Sequence, residues 1–193
     1  MNKVKVLIEG YARENEDSWS ASSTVTLVES NGKKIIVDPG CNRKRLLDEL
    51  ADNSLATKDI DYVFLTHSHA DHALLAGIFE DAKIITSAEV YDNDNQTEHE
   101  DIIPGTDLEI IQTPGHSRED CALIVPAEEG TYVISGDAFW WMDDEEQIPN
   151  IEKEDEAHPA EVDMQSLIES RRKILEIADF IIPGHGRMFK IEK

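Results

Sequence analysis

The sequence predicts a mixed α/β fold in a single domain that spans residues 1–193. Three observations lead to this prediction. Short apolar runs of strand-forming residues recur along the chain, tight-turn residues separate two pairs of these runs, and other stretches carry apolar residues at helical spacing. With 193 residues, of which 40% are hydrophobic, the chain is long enough to bury a sizeable core.

The short apolar runs predict nine strands. They are residues 4–8, 24–28, 34–37, 62–65, 83–86, 108–111, 122–125, 131–134 and 180–182. The Asn-Gly pair at 31–32 and the glycine turn at 128–130 each join two of these strands, so both predict β-hairpins. The polar stretches 9–23 and 91–101 lack such runs, and we predict them to be loops.

Three helices are predicted between the strands. Asn42, a residue type that caps helix N-termini, precedes the first, and its apolar face consists of Leu46, Leu47, Leu50 and Ala51. The second is predicted over residues 74–79. The third is predicted to begin at Pro159 and carries acids early and basic residues late, as the helix dipole favours.

The composition limits which binding partners and which cellular compartment we expect. A net charge of −23 argues against non-specific nucleic-acid binding, which depends on Lys and Arg at the phosphates, and against anionic membranes. No apolar run approaches a membrane-spanning length, and the N-terminus has no signal-peptide core. Cys41 and Cys121 do not suggest a disulfide framework. We therefore expect a cytoplasmic protein that acts on a small molecule, with oligomerisation left open; adaptation to a salty cytoplasm is an alternative account of the acidity.

The stretch from His67 to His72 places three imidazoles and one carboxylate within six residues. It lies between a predicted strand and a predicted helix, so its side chains can converge. Neutral imidazole binds zinc, iron, nickel and copper, and carboxylates bind harder ions. In an extended turn His67 and His69 point to the same side, whereas Asp71 and His72 come round toward a second point. The stretch therefore predicts a site for two metal ions, the alternative being a polar surface loop.

Candidate ligands recur at other predicted strand ends, where glycine or proline turns the chain. His116 follows Thr-Pro-Gly, Asp137 follows Ser-Gly, and His185 follows Pro-Gly. One such motif is weak evidence for a ligand, but four strand ends of this kind in one chain are much stronger. His99 and His158 lie in polar segments and are predicted to be surface residues.

The motifs HSHADH, TPGHS, SGDAF and PGHG occur in an order that resembles the metallo-β-lactamase-fold superfamily. The resemblance extends from Asp38 to the end of the chain. It implies a four-layer αββα sandwich with metals at one edge of the two sheets. It also implies a ligand set: His67, His69 and His116 for the first metal, Asp71, His72 and His185 for the second, and Asp137 as the bridge. Asp38 resembles an acid that orients ligands in the superfamily.

Three further stretches, VLIEGYARE, the acidic segment after SGDAF, and ADFIIPGHGRMFKI, resemble small proteins similar to metallo-β-lactamase domain-containing protein 1. This resemblance implies a metal-dependent hydrolase, and a ribonuclease role has been proposed within that group. We therefore expect two divalent ions, zinc in the first place and iron or manganese otherwise. Their bound hydroxide would attack a small ester, thioester, lactone or phosphodiester. Asp71 would hold the hydroxide in line and take up its proton.

There are three alternatives to this interpretation. RNA as the substrate is favoured by the resemblance and disfavoured by the net charge. An oxygenase with a single iron ion, similar to persulfide dioxygenases, would not need Asp71, His72 or His185. The third alternative is a metal-binding protein without turnover.

The stretch 139–158 leaves directly from Asp137 and therefore begins near the predicted metals. Trp140 and Trp141 are predicted to line the substrate pocket, since such pockets are mainly apolar; the alternative is that they close the core. Acids between residues 143 and 156 would give the site a negative rim that repels polyanions. The sequence leaves open whether this segment is a lid or a salt adaptation.

Overall fold

The computed structural model describes residues 1–157 and 160–192. This part of the chain forms fourteen β-strands and three α-helices. The strands are β1 (Lys3–Ile8), β2 (Tyr11–Asn15), β3 (Ser18–Ser22), β4 (Val25–Ser30), β5 (Lys33–Val37), β6 (Tyr62–Phe64), β7 (Lys83–Ile85), β8 (Glu89–Asp92), β9 (Asn95–Glu98), β10 (Glu109–Gln112), β11 (Cys121–Ala127), β12 (Gly130–Trp140), β13 (Phe180–His185) and β14 (Phe189–Lys190). The helices are α1 (Arg43–Asp52), α2 (Ala70–Ala73) and α3 (Met164–Ile177).

Two β-sheets lie face to face at the centre of the molecule. The first has seven strands in the order β1-β4-β5-β6-β7-β8-β9, and the second has five in the order β10-β11-β12-β13-β14. Side chains alternate between the two faces of each strand. Ile35 and Val37 of β5 therefore join Leu123 and Ile182 of the second sheet in a core cluster between the sheets. This cluster is the middle of the sandwich.

Helices cover the outer faces of both sheets. Ile36 of β5 points away from the shared core and packs with Leu46 of α1. On the other side, Ile181 of β13 packs with Leu167 of α3. The layers are therefore helix, sheet, sheet and helix, which confirms the predicted αββα sandwich.

All nine predicted strands are present, and both predicted hairpins are confirmed as β4–β5 and β11–β12. At the first turn, Asn31 and Gly32 have φ values of 49° and 79°. Residues with left-handed backbone at both central positions form the turns that match the twist of paired strands. The Asn-Gly signal was therefore correct for a physical reason.

The two predicted loops were wrong. The stretch 9–23 contains β2 and β3, which pair with each other in a separate two-stranded sheet, and 91–101 contains part of β8 and all of β9. These strands are largely exposed and polar, so they lack the apolar runs by which buried strands are recognised.

The predicted helix boundaries also need correction. Over 74–79 the structure has only a short 3₁₀ turn at Ala76–Ile78, and the α-helical turn there is α2, four residues earlier. Helix α3 begins at Met164 rather than Pro159, because the Asp163 carboxylate accepts hydrogen bonds from the first turn of its backbone. Pro159 itself, like His158, lies outside the described residues.

Strand β12 extends six residues past the predicted end at residue 134. It runs to Trp140 because it continues to pair in parallel with β13, up to the Trp140–His185 pair. In the part of the chain that the structure describes, no helix has the length and apolarity needed to cross a membrane.

Candidate metal centre

The candidate ligands meet at one edge of the sandwich. Strands β5, β6 and β7 are parallel, and so are β12 and β13, so their carboxyl ends point the same way within each sheet. Asp38 follows β5, His67 lies three residues after the end of β6, and His185 ends β13. His116 follows β10 in the second sheet. The centre is thus built where the ends of both sheets come together.

Asp137 is placed by an irregularity in β12. The register between β12 and β13 shifts on both sides of Gly136, so the pairing is locally broken there. Gly136 has φ of 51°, and a Cβ there would lie 2.5 Å from Thr66 Oγ1. On β13, a Cβ at Gly184 would overlap the Asp137 carboxylate. Gly184 of the PGH motif therefore makes room for the Asp137 side chain, and Gly136 of the SGD motif makes room for Thr66.

All seven predicted ligands lie in two adjoining groups. The members are His67, His69, His116 and Asp137 in one group and Asp71, His72 and His185 in the other. Within each group the potential ligand atoms all lie within 4.8 Å of one another. The structure therefore brings together every residue of the predicted set.

Asp137 lies between the two groups. Its Oδ1 is 3.2 Å from His72 Nε2, and its Oδ2 is 3.4 Å from His116 Nε2 and 3.6 Å from His185 Nε2. One carboxylate thus faces histidines of both groups. This is the position that a carboxylate bridging two ions would occupy.

Each of the five imidazoles has one ring nitrogen held by a neighbour on the side away from the centre. These contacts are His67 Nδ1 to Thr66 Oγ1 (3.1 Å), His69 Nε2 to Glu161 Oε2 (3.3 Å), His72 Nδ1 to Asp38 Oδ2 (2.9 Å), His116 Nδ1 to Asp155 Oδ2 (2.7 Å) and His185 Nδ1 to the Tyr11 carbonyl (3.0 Å). Metal-binding histidines characteristically donate their second N–H to a carboxylate or carbonyl, which fixes the tautomer and the ring. The other nitrogen of each ring then faces the centre.

Unpaired buried atoms provide a test of whether metal fits. Among the described residues, six buried side-chain nitrogen and oxygen atoms have no hydrogen-bond partner, and three of them are His67 Nε2, His72 Nε2 and Asp137 Oδ1. An unsatisfied buried polar group costs about 1–3 kcal/mol. These three atoms belong to the two ligand groups, and a donor set of imidazole and carboxylate fits zinc, iron or manganese.

Burial and close charges perturb the titration of the centre. Burial raises the pKa of Asp137, but His72 and His185 outweigh it, and the net pKa lies well below the usual range. Burial lowers the pKa of His185, whereas Asp137 and Asp71 raise it, with a net value of about 9. Burial and His72 together lower the pKa of His67 well below its usual range. The centre therefore combines an ionised carboxylate with a neutral imidazole, both suited to metal binding.

Asp38 lies behind the second ligand group, next to His72. It is buried, and its carboxylate accepts hydrogen bonds from the Thr66 backbone N–H (2.9 Å) and the Thr66 hydroxyl (2.7 Å) as well as contacting His72. Its backbone φ is 49°, a sparsely populated region for a residue other than glycine. Asp38 thus connects the end of β5 to the His67–His72 stretch.

A cavity of about 350 Å³ opens above the ligands. Its walls are formed by Ala12, Trp19, Ala21, Trp140 and Ala157, and its floor by His69, Asp71, His116, Asp137 and His185. Trp141, predicted to line the pocket with Trp140, instead packs in a core cluster with Phe139 and Phe189. Trp19, on the hairpin that was predicted to be a loop, stands at the cavity with 62% of its surface exposed.

Two contacts of the centre could not be read from the sequence. Asp155 is one acid in a run of acids, and the Tyr11 carbonyl reaches His185 only because the chain folds back near its start. His99 lies apart from the centre, as predicted, but its side chain is almost fully buried and contacts the Thr86 carbonyl at 2.9 Å, so it is not a plain surface residue.

Comparison with known proteins agrees with this geometry. Residues 21–159 match the model of the Metallo-beta-lactamase superfamily. A Xenopus laevis relative named "Metallo-beta-lactamase domain-containing protein 1" is 33% identical, over 100% of this chain and 83% of the relative. A Methanocaldococcus jannaschii relative named "Probable metallo-hydrolase" is 30% identical, over 98% of this chain and 90% of the relative. A solved structure from Thermotoga maritima has a TM-score of 0.73 at 20% identity, over 98% of this chain and 99% of that chain.

These findings agree at two levels. The structural likeness shows the shared fold, and the sequence match includes the stretch that supplies His67 to His72, His116 and Asp137. The resemblance predicted from the four motifs is therefore confirmed. The chain belongs to the metallo-beta-lactamase superfamily.

Proposed function

We propose that this metal-dependent hydrolase holds a pair of divalent ions, zinc in the first place, and hydrolyses a small neutral ester, thioester or lactone. The observation that carries the proposal is the pair of adjoining His/Asp groups with the Asp137 carboxylate between them. Two ions, when bound, supply a Lewis acid for the substrate oxygen and lower the pKa of water to near 7. Both effects accelerate ester hydrolysis at neutral pH.

The residues around the centre would divide the remaining work. His67, His69 and His116 would hold one ion, Asp71, His72 and His185 the other, and Asp137 both. Burial raises the pKa of Asp71, but the contact with His185 at 3.2 Å outweighs it, and the net pKa is lowered. An ionised Asp71 at the cavity floor is suited to hold a metal ion and to align the attacking water by accepting a hydrogen bond from it.

The cavity supports a small carbonyl substrate. Its volume of about 350 Å³ lies at the lower end of ligand pockets, and three alanines and two tryptophans form its walls. Its described lining contains no Lys or Arg that would pair with a phosphate. The net charge of −23 also disfavours RNA. A small phosphodiester is the second candidate, because paired metal ions are also typical of phosphatases and nucleases.

An iron oxygenase with one metal ion is disfavoured by the second ligand group. Such an enzyme needs neither Asp71 nor His72 nor His185, yet all three converge here.

The test is a hydrolysis screen with metal-replete protein against an aryl ester, a thioester, a lactone and an aryl phosphodiester. We expect turnover of at least one carbonyl substrate, its loss on chelation, and recovery with Zn²⁺. Asp137→Asn should reduce turnover by more than about 100-fold, since mutation of residues that only orient the ligands already reduces activity by about 10–100-fold. Turnover of the phosphodiester alone would favour the second candidate substrate class over the carbonyl substrates. No turnover of any substrate would contradict the proposed hydrolase function.

Variants of Trp140 and Trp141 in the same assay distinguish a residue of the pocket wall from a residue of the core. Trp140→Ala should raise KM, because Trp140 lines the cavity, whereas Trp141→Ala should mainly lower the free energy of unfolding by about 3–5 kcal/mol. Equal KM values in the Trp140→Ala variant and the wild-type protein would remove Trp140 from the substrate site.

A further inference from the structure

We infer that Asp155 is a positioning residue of the metal centre, and that the acidic stretch 143–157 completes the first ligand group by aiming His116. The inference rests on the proposed metal pair. Its physical basis is a single buried contact, the way the stretch is fastened, and the contrast between Asp155 and its acidic neighbours.

The contact is short and excludes water. Asp155 Oδ2 lies 2.7 Å from His116 Nδ1, and both side chains are at most 1% exposed. His116 Nε2 faces the centre, 3.0 Å from His69 Nδ1 and 3.4 Å from Asp137 Oδ2. A carboxylate at Nδ1 selects the tautomer with its proton there, so that Nε2 presents its lone pair to the centre, as a metal ligand does.

Asp155 differs from every other acid of the stretch. Asp143, Asp144, Glu145, Glu146, Glu152, Glu154 and Glu156 are all exposed. A stretch that served only to raise surface charge would have no need to bury one carboxylate against a candidate ligand, since desolvating a charge is costly without a partner. Burial with a histidine partner therefore points to a role at the centre.

The stretch is fastened to the fold by a buried arginine. Arg171 of α3 is 1% exposed and donates hydrogen bonds to the carbonyls of Ala138 (2.6 Å), Ile151 (3.0 Å) and Lys153 (2.5 Å). One guanidinium thereby joins the end of β12 to the chain just before Asp155. Five donors in a rigid plane suit this clamping role.

Lys153 fastens the same point from the other side. Its ammonium donates to the Trp140 carbonyl (2.9 Å), lies 4.5 Å from the centre of the Trp140 ring, and pairs with Glu145 at 3.0 Å. The chain two residues before Asp155 is therefore held to the cavity wall. With both clamps in place, the Asp155 carboxylate has a fixed position under His116.

The test compares Asp155→Ala with Glu154→Ala. Glu154 is the neighbouring residue and is exposed, so this control removes the same charge without removing a buried contact. Zn²⁺ is titrated into metal-free protein against a chelating dye, and Co²⁺ is titrated with its visible absorption as a readout of ligand geometry. We expect Asp155→Ala to weaken one binding step by about 10–100-fold and to alter the Co²⁺ spectrum. Glu154→Ala should change neither.

A second variant guards against loss of folding. Asp155→Asn keeps the shape and one acceptor oxygen, so we expect a smaller loss than in Asp155→Ala, and Glu154→Gln is its control. If Asp155→Ala does not fold, weaker binding in Asp155→Asn than in Glu154→Gln supports the inference, and equal binding overturns it.

The outcomes separate this inference from the proposed function. Wild-type affinity and spectrum in Asp155→Ala, or equal losses in Asp155→Ala and Glu154→Ala, overturn the positioning role while leaving the metal pair intact. A wild-type protein that binds one ion contradicts the proposed pair. In that case the effect of Asp155→Ala on the remaining step still decides the role of Asp155.

Discussion

Three contacts converge on the Asp38 carboxylate, two from Thr66 and one from His72. They tie the orientation of a candidate ligand to the backbone at the end of β6. A buried carboxylate with this many partners is difficult to replace, because its removal leaves each donor without an acceptor. Asp38, a group that contacts a ligand from behind, can thus determine where that ligand points.

Asp38→Ala should weaken metal binding by about 10–100-fold. It should also destabilise the fold by about 1–3 kcal/mol, because the Thr66 N–H loses its buried acceptor. The measurement is metal titration together with thermal unfolding, and Asp81→Ala, which removes an exposed carboxylate, is the control. A titration curve identical to that of the control would show that Asp38 only completes the turn.

Among the secondary-structure elements, strands β12 and β13 form the most tightly packed part of the site. The absence of a side chain at Gly184 gives the Asp137 carboxylate its place between the two ligand groups, since a Cβ there would overlap it. Gly184→Ala should therefore displace Asp137 and reduce the metal load. Gly77→Ala is a matched control, since a Cβ at Gly77 meets no atom within 4 Å among the described residues.

The measurement for this pair is metal content per chain after saturation and removal of free metal. We expect Gly77→Ala to retain the wild-type load and Gly184→Ala to lose part of it. Full load in Gly184→Ala would mean that β13 can shift without moving Asp137, and that the close approach is not needed for the site.

The sequence could predict the elements and ligands that local chemistry restricts. His67, His116 and Asp137 were predictable because few residue types bind metal and each follows a predicted strand. Asp155 and Trp19 were not predictable, because their roles depend on segments that come close only in the folded chain. Hairpin β2–β3 was missed for a related reason: its strands are polar and exposed, so local patterning carries no burial signal.

At the scale of the whole molecule, the centre joins the two sheets. His67, His69, Asp71 and His72 follow a strand of the first sheet, whereas His116, Asp137 and His185 belong to the second. Ions held by both sets would link the halves of the sandwich. A ligand that binds only the folded state stabilises it in proportion to the logarithm of its concentration.

Metal removal should therefore lower Tm. Free Zn²⁺ at 100 times Kd contributes about 2.7 kcal/mol, and for a chain of this size each kcal/mol shifts Tm by about 2–4 °C. We expect chelation to lower Tm by about 5–10 °C, with recovery on adding Zn²⁺. The measurement is calorimetry at several free Zn²⁺ concentrations, and a Tm that is independent of Zn²⁺ would show that the ions do not link the sheets.

The paired metal centre is tested most directly by anomalous diffraction from crystals of metal-replete protein, measured on both sides of the zinc absorption edge. We predict two anomalous peaks, one among His67, His69 and His116 and the other among Asp71, His72 and His185, with Asp137 in contact with both. A single peak in protein saturated with Zn²⁺, or peaks away from these residues, would contradict the account.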